Sequence, residues 1–313
     1  MRADLLHVVA AVANPIRWAS RITLAKQFIE HMLASGVQLT IVECAYGQRP
    51  FELAGDKRFN HVAVRADGSA LVWNKEPLLN LGATRLPGDA EYIAFLDADI
   101  TMRSPTWAAD TVHALQRYHV VQPWSNCLDL GPNGELIETH TALFKLAHHK
   151  KPIIQGPNAG PNTYTCFGHP GYGYAFRRQT LNDLGGLIET AGLGAADHHA
   201  GMALLGRVGD SIPGNMTEGY KAPLQLWQAR ASRFVAQNVS YVGNVIEHSW
   251  HGNKASRAYV SRWDILIKWG FDPLTDLKKN VYGVVELAGN KPGLRHDIDL
   301  YFSSRSEDSN TLG

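Results

Sequence analysis

Four short apolar runs, each bounded by turn residues and separated by stretches with helical spacing, constrain this chain more than any other feature. Leu5–Ala13, Gln38–Cys44, Phe59–Val64 and Tyr92–Leu96 read as buried strands. Trp18–Leu33, Lys75–Leu81 and Pro105–Tyr118 read as helices between or after them, with Ser20 offered as a cap and Gly36 as a stop. Strands alternating with helices make right-handed crossovers and a mostly parallel sheet. The expected class is therefore α/β, Rossmann-like, with helices on both faces. Ligands of such sheets sit beyond the carboxyl ends of the strands. That rule marks Asn14–Arg21, Glu43–Gly47, Val64–Lys75 and Asp97–Asp99.

Composition narrows the class further. With 45% apolar and 19% charged residues in 313, a large core is available. Thirty Lys+Arg against 29 Asp+Glu leave a net charge of +1, which disfavours a dense nucleic-acid binder. Cys44, Cys127 and Cys166 are scattered and form no Cys-x-x-Cys pair, so a reducing, cytoplasmic setting is expected. No run is long enough to span a bilayer. Asp4 and His7 flank or interrupt Leu5–Ala13, so it reads as a strand rather than a leader. After residue 123 glycine–proline pairs become dense. The chain is accordingly divided into a nucleotide-binding half (1–123), an acceptor and catalytic half (124–270) with a loop-rich character, and an extension (271–313). Residues 221–279 hold nine Lys/Arg and four Asp/Glu, a local basic segment.

Three constellations carry chemistry. Asp97-Ala98-Asp99 ends the fourth strand. Two carboxylates sharing one face there repel and call for a cation between them, or else Asp99 caps the next element. Gly171–Arg178 and Gly192–His199 form a glycine- and aromatic-rich stretch ending in Asp197. That residue is either a general base toward a hydroxyl or the cap of a helix at Ala200–Leu205. The third is Glu247–Lys254, after the apolar stretch Val239–Ile246. Its His248 is the first choice for a metal ligand and His251 the second. Lys254, Arg257 and Arg262 come next, placed either to neutralise a diphosphate or on a solvated helix face. Trp124, Tyr164, Tyr172 and Tyr174 are either sugar-stacking rings or core.

In this order the residues resemble glycosyltransferases of the GT-A fold, galactosyltransferase-like and family-2-like, over residues 5–262. The resemblance implies that Asp97, Asp99 and His248 hold Mn2+ or Mg2+ against a nucleotide-sugar, with UDP as the nucleotide. It implies Asp197 as the base of an inverting displacement, although Ala196 stands where many such members carry a second acid. By position it makes Arg21, Glu43, Asp67 and Lys75 nucleotide contacts, alongside Asp97, Lys254 and Arg257. The acceptor is a glycan, a lipid-linked or another hydroxyl compound, with a modified DNA base as a minor alternative. Two further readings compete. Asp97-Ala98-Asp99-Ile100-Thr101 with Gly209-Asp210-Ser211 is also similar to haloacid-dehalogenase-type phosphatases, with Asp97 as nucleophile. A non-catalytic sugar- or nucleotide-binding module is the other. No Gly-x-Gly-x-x-Gly follows the first strand, which disfavours a dinucleotide oxidoreductase.

Overall fold

The computed structural model describes residues 2–153, 168–253, 255–258 and 261–311. Lys254, Tyr164 and Cys166 lie outside them. The first units follow the alternation read from the sequence: β1 (Leu6–Ala13), α1 (Ala19–Ala34), β2 (Gln38–Tyr46), β3 (Asn60–Ala66), α2 (Lys75–Thr84) and β4 (Tyr92–Leu96). Next come β5 (Ile100–Met102), α3 (Trp107–Leu115), β6 (Val120–Gln122), β7 (Asn126–Leu130), β8 (Leu136–Ala142), α4 (Leu143–His148), β9 (Gly168–His169) and β10 (Gly173–Arg177). The remainder is α5 (Arg178–Leu184), α6 (Ala196–Leu204), α7 (Glu218–Phe234), β11 (Val239–Tyr241), β12 (Val245–His248), α8 (Arg262–Lys268), α9 (Pro273–Asp276), β13 (Leu277–Lys279), β14 (Val285–Leu287) and α10 (Pro292–Ser304).

Among the described residues, a seven-stranded sheet runs β11-β6-β10-β4-β1-β2-β3. Its pairs β1–β2, β2–β3, β1–β4 and β6–β11 are parallel, and β10 lies antiparallel to both β4 and β6. The fold is thus α/β with a mostly parallel central sheet, and strands from beyond residue 123 complete it. Successive side chains of β1 enter different cores, as the strand's period of two requires. Val8, Ala10 and Val12 pack with Ile22, Phe28 and Met32 of α1 and Trp107 of α3. Val9 packs on the other face with Leu78 and Leu79 of α2. Buried on both faces, the strand has no room for the polar alternation of a half-exposed one.

A smaller sheet, β5-β12-β7-β8-β9, stands beside the first. It alters two expectations. The apolar stretch Val239–Ile246 is not one element: β11 pairs in the large sheet, and after the turn at 242–244 β12 pairs in the small one. Asp97-Ala98-Asp99 is not a strand continuation with both carboxylates on one face. It is the turn by which the chain leaves β4 and enters β5, so the two side chains diverge.

The start of α1 is a further difference. Ser20 does not cap it; its hydroxyl donates to the Glu307 carbonyl at 3.1 Å. The free amides of Ala19 and Ser20 are instead accepted by the Asp308 carboxylate, at 2.9 and 2.8 Å. An acid at a helix N-terminus satisfies orphan donors and meets the positive end of the dipole. Residues 305–309 therefore return across the carboxyl end of β1. Gly252 leaves room for them: a Cβ there would lie 2.6 Å from the Ser306 carbonyl oxygen, and its φ is +89°.

Candidate active site

At the carboxyl end of the large sheet lies a cavity of about 560 Å3. All four loops singled out by the strand-end rule contribute to its wall, through Pro15, Trp18 and Arg21, Tyr46, Val72–Glu76 and Leu96–Asp99. Loops from the second half close it, bringing Gly171, Tyr172, Asp197, His198, His248, His251, Arg257 and Arg262.

Asp99 faces two imidazoles. His251 Nε2 is 3.2 Å from Asp99 Oδ2, His248 Nε2 is 3.8 Å from Oδ1, and the two Nε2 atoms are 3.1 Å apart. Asp99 Oδ1 is buried without a hydrogen-bond partner among the described residues. Two ring nitrogens and a carboxylate aimed at one point require a positive species there, a proton or a metal ion. Burial opposes charge on Asp99, yet His248 and His251 hold its carboxyl below the ordinary range. Burial likewise opposes charge on His248, but Asp99 and Asp129 push it up to about 9. His251 goes the other way, lowered by burial and by Arg257. The three ligand atoms lie within 4.8 Å of one another, a spacing one divalent ion can bridge, and the nitrogen–oxygen donor set suits Mn2+. The residues thus fit a divalent metal, with His251 joining His248.

Asp97 turns away from this group. Its Oδ1 accepts from Lys75 Nζ at 3.0 Å, and Lys75 also stands 3.6 Å from Asp197 Oδ2 and 3.6 Å from Glu76. Burial disfavours the Lys75 ammonium, but Asp97 and Asp197 outweigh it and hold it charged. Burial raises Asp97, with Asp99 and Asp197 adding to the effect. It raises Glu76 to about 7. Asp197 opens α6 and accepts the His198 amide at 2.8 Å. Burial would raise its carboxyl, but Lys75 and His169 bring it down to about 2, so it is ionised. Gly171 lets the loop pass against it: a Cβ there would lie 2.9 Å from His169 Cε1 and 3.1 Å from Asp197 Oδ2.

Asp97, Asp99, Asp197, His248, His251, Lys75, Arg21 and Arg257 all line the same cavity. Arg21 is engaged there by Glu307, through two contacts of 2.5 and 2.7 Å. Glu43 and Asp67 are not brought to the wall. Glu43 is buried and accepts the Glu52 and Leu53 amides and His61, which fastens the loop after β2. Asp67 forms a turn with the amide and hydroxyl of Ser69. Of the aromatic residues, Tyr172 lines the cavity, stacked on His169 at 4.2 Å and 11°. Trp124 and Tyr174 are core. Asp210, which a phosphatase would need beside Asp97, is exposed and paired with Arg207 at 2.7 Å.

Several cavity residues escaped the sequence reading. Asp129 receives His248 Nδ1 at 2.6 Å from 119 positions away. Glu307 and Arg305 pair at 2.6 Å, and Arg305 lies over Trp73 at 5.0 Å from the ring centre. None carries a local motif. Asp129 alone had a signal, as a lone acid in the apolar alternation Asn126–Leu130.

No known family model matches the chain, and none of the curated proteins does. Solved structures do. S. aureus TarS 1–349 in complex with UDP-GlcNAc is similar at 13% identity and a TM-score of 0.41, over 85% of this chain and 65% of that one. The catalytic domain of Drosophila β1,4-galactosyltransferase 7 in complex with xylobiose is similar at 12% identity and 0.35, over 76% and 64%. Glucosyl-3-phosphoglycerate synthase from Mycobacterium tuberculosis, in complex with Mn2+, UDP and glucosyl-3-phosphoglycerate, is similar at 12% and 0.40, over 86% and 78%. The chain thus spans about 65% of the first of these. The likeness is one of overall fold.

Proposed function

We propose that the chain is a metal-dependent glycosyltransferase. In this reading it moves a sugar from a UDP-sugar to an acceptor hydroxyl, with inversion at the anomeric carbon. The supporting observation is the joining, in one strand-end cavity, of a cation-competent group (Asp99, His248, His251) and an ionised carboxylate (Asp197), with Lys75 between Asp197 and Asp97.

Asp99, His248 and His251 would hold Mn2+ or Mg2+, which when bound supplies Lewis-acid stabilisation of the charge on a departing diphosphate. Asp97 and Lys75 line the cavity beside Asp197, and Arg257 and Arg262 would add positive charge for phosphate oxygens. Asp197 Oδ2 takes the proton of the attacking hydroxyl. Lys75 beside it favours the ionised carboxylate, the form able to accept that proton as the hydroxyl attacks. Cys44 is a buried free thiol, which suits a reducing cytoplasm. No helix among the described residues is long and apolar enough to cross a membrane. The acceptors to screen are glycans and lipid-linked hydroxyl compounds.

Calorimetric titration with UDP, with and without Mn2+, tests the reading. The native chain is expected to bind UDP in the presence of Mn2+. The Asp99→Asn variant is expected to lose the metal-dependent part of that affinity. Equal binding by both proteins, or no metal dependence, refutes it.

A further inference from the structure

The small sheet sets three residues of the cavity in a row. His248 on β12 is in register with Ile100 on β5, directly after Asp99, and with Asp129 on β7. The Ser249 amide donates to the Asp99 carbonyl at 2.9 Å and locks that register. Paired residues of adjacent strands project to the same face. The register therefore puts His248 on the face of Asp129, its Nδ1 2.6 Å from Asp129 Oδ1, while the turn before β5 brings Asp99 to the other edge of the ring, 3.8 Å from Nε2. Both His248 and Asp129 are buried, 5% and 3% exposed. Asp129 is itself held: its Oδ2 is 3.5 Å from His140 Nε2, and His140 packs on His169, which stacks on Tyr172. The Tyr172 ring returns to within 5.0 Å of the His248 ring.

We propose that Asp129 is a positioning residue for the metal site. By accepting the Nδ1 proton of His248, it fixes the tautomer whose Nε2 lone pair faces Asp99 and His251. Asp129 does not touch the cation or the substrate; it acts through His248. A carboxylate behind a ligating imidazole orients the ring and raises its basicity, and its loss costs about 10–100-fold in metal affinity. This inference rests on the metal-dependent reading above.

The test is Mn2+ titration without nucleotide, followed by the electron paramagnetic resonance of free Mn2+, on the native chain and on Asp99→Asn and Asp129→Asn. Melting of each protein is recorded without metal. Asparagine keeps the size of Asp129 but no longer offers a charged acceptor to Nδ1. The expected result is a fall of about 10-fold or more in Mn2+ affinity for folded Asp129→Asn. A lowered melting point with native Mn2+ affinity marks a purely structural role and overturns the proposal. The controls separate the two levels of inference. If the native chain and Asp99→Asn bind Mn2+ equally weakly, the metal reading fails and the proposal falls with it. If Asp99→Asn loses Mn2+ and Asp129→Asn keeps it, only the role of Asp129 falls. Should Asp129→Asn not fold, nitrogen-15 spectra of the native chain saturated with diamagnetic Mg2+ decide. A His248 proton retained on Nδ1 supports the proposal, and a bare Nδ1 overturns it.

Discussion

Replacing Glu307 with glutamine should cost the protein about 3 kcal/mol at neutral pH, and that cost should vanish in acid. The side chain is 1% exposed and is shared by Arg21 and Arg305, at 2.5 and 2.6 Å. Burial opposes its charge, but the two arginines more than compensate and lower its carboxyl from 4.5 to about 2. Each pH unit of that difference is worth about 1.4 kcal/mol, which gives about 3 kcal/mol. Because the folded value is depressed, this stability is present above the unfolded value of 4.5 and is lost as pH falls toward 2. Urea unfolding of the native chain and Glu307→Gln, at several pH values from about 7 down to about 2.5, measures it. The gap between the proteins should be largest at about pH 7 and close progressively below about pH 4.5. A gap independent of pH, or one below about 1 kcal/mol at neutral pH, would refute the assignment of the charge to this clasp.

Two further outcomes are expected at the site. Asp197→Asn should retain Mn2+-dependent UDP binding within about twofold while transfer falls by at least about 100-fold; full turnover in this variant would remove Asp197 as base. Gly171→Ala places a methyl group 3.1 Å from Asp197 Oδ2 and 2.9 Å from His169 Cε1. It should lower kcat about tenfold or more with little change in UDP affinity, since misplacing a reacting group by a fraction of an ångström is costly. Steady-state kinetics beside calorimetry reads this out, and unchanged kcat would show that the loop yields.

The large sheet was legible in the sequence because its signals are local. β1, β2 and β4 are apolar runs with turn residues at both ends, and their carboxyl ends mark the cavity whatever the ligand. Asp97 and Asp99 were legible as a pair of acids but not as a fork. Alternation along a strand puts them on one face, whereas the turn between β4 and β5 sends Asp97 to Lys75 and Asp99 to His248. Glu43 sits where a ligand contact belongs, yet the amides of Glu52 and Leu53 claim both its oxygens. What stayed hidden is what depends on register and long-range return. Asp129 meets His248 only because β7 and β12 pair in parallel, and Asp308 reaches the first turn of α1 across 289 positions.

That return has a consequence for how the molecule is made. A ribosome releases the first turn of α1 well ahead of the acids at 307 and 308, since Ala19 precedes Asp308 by 289 positions. Until they emerge, the amides of Ala19 and Ser20 and the guanidinium of Arg21 lack the partners that hold them in the finished fold. The cavity wall between β1 and His251 therefore sets only after every strand of the large sheet has emerged. Between the emergence of β11 and that of residues 307 and 308, the chain has every strand of its large sheet while one side of its cavity lacks the contacts that hold it.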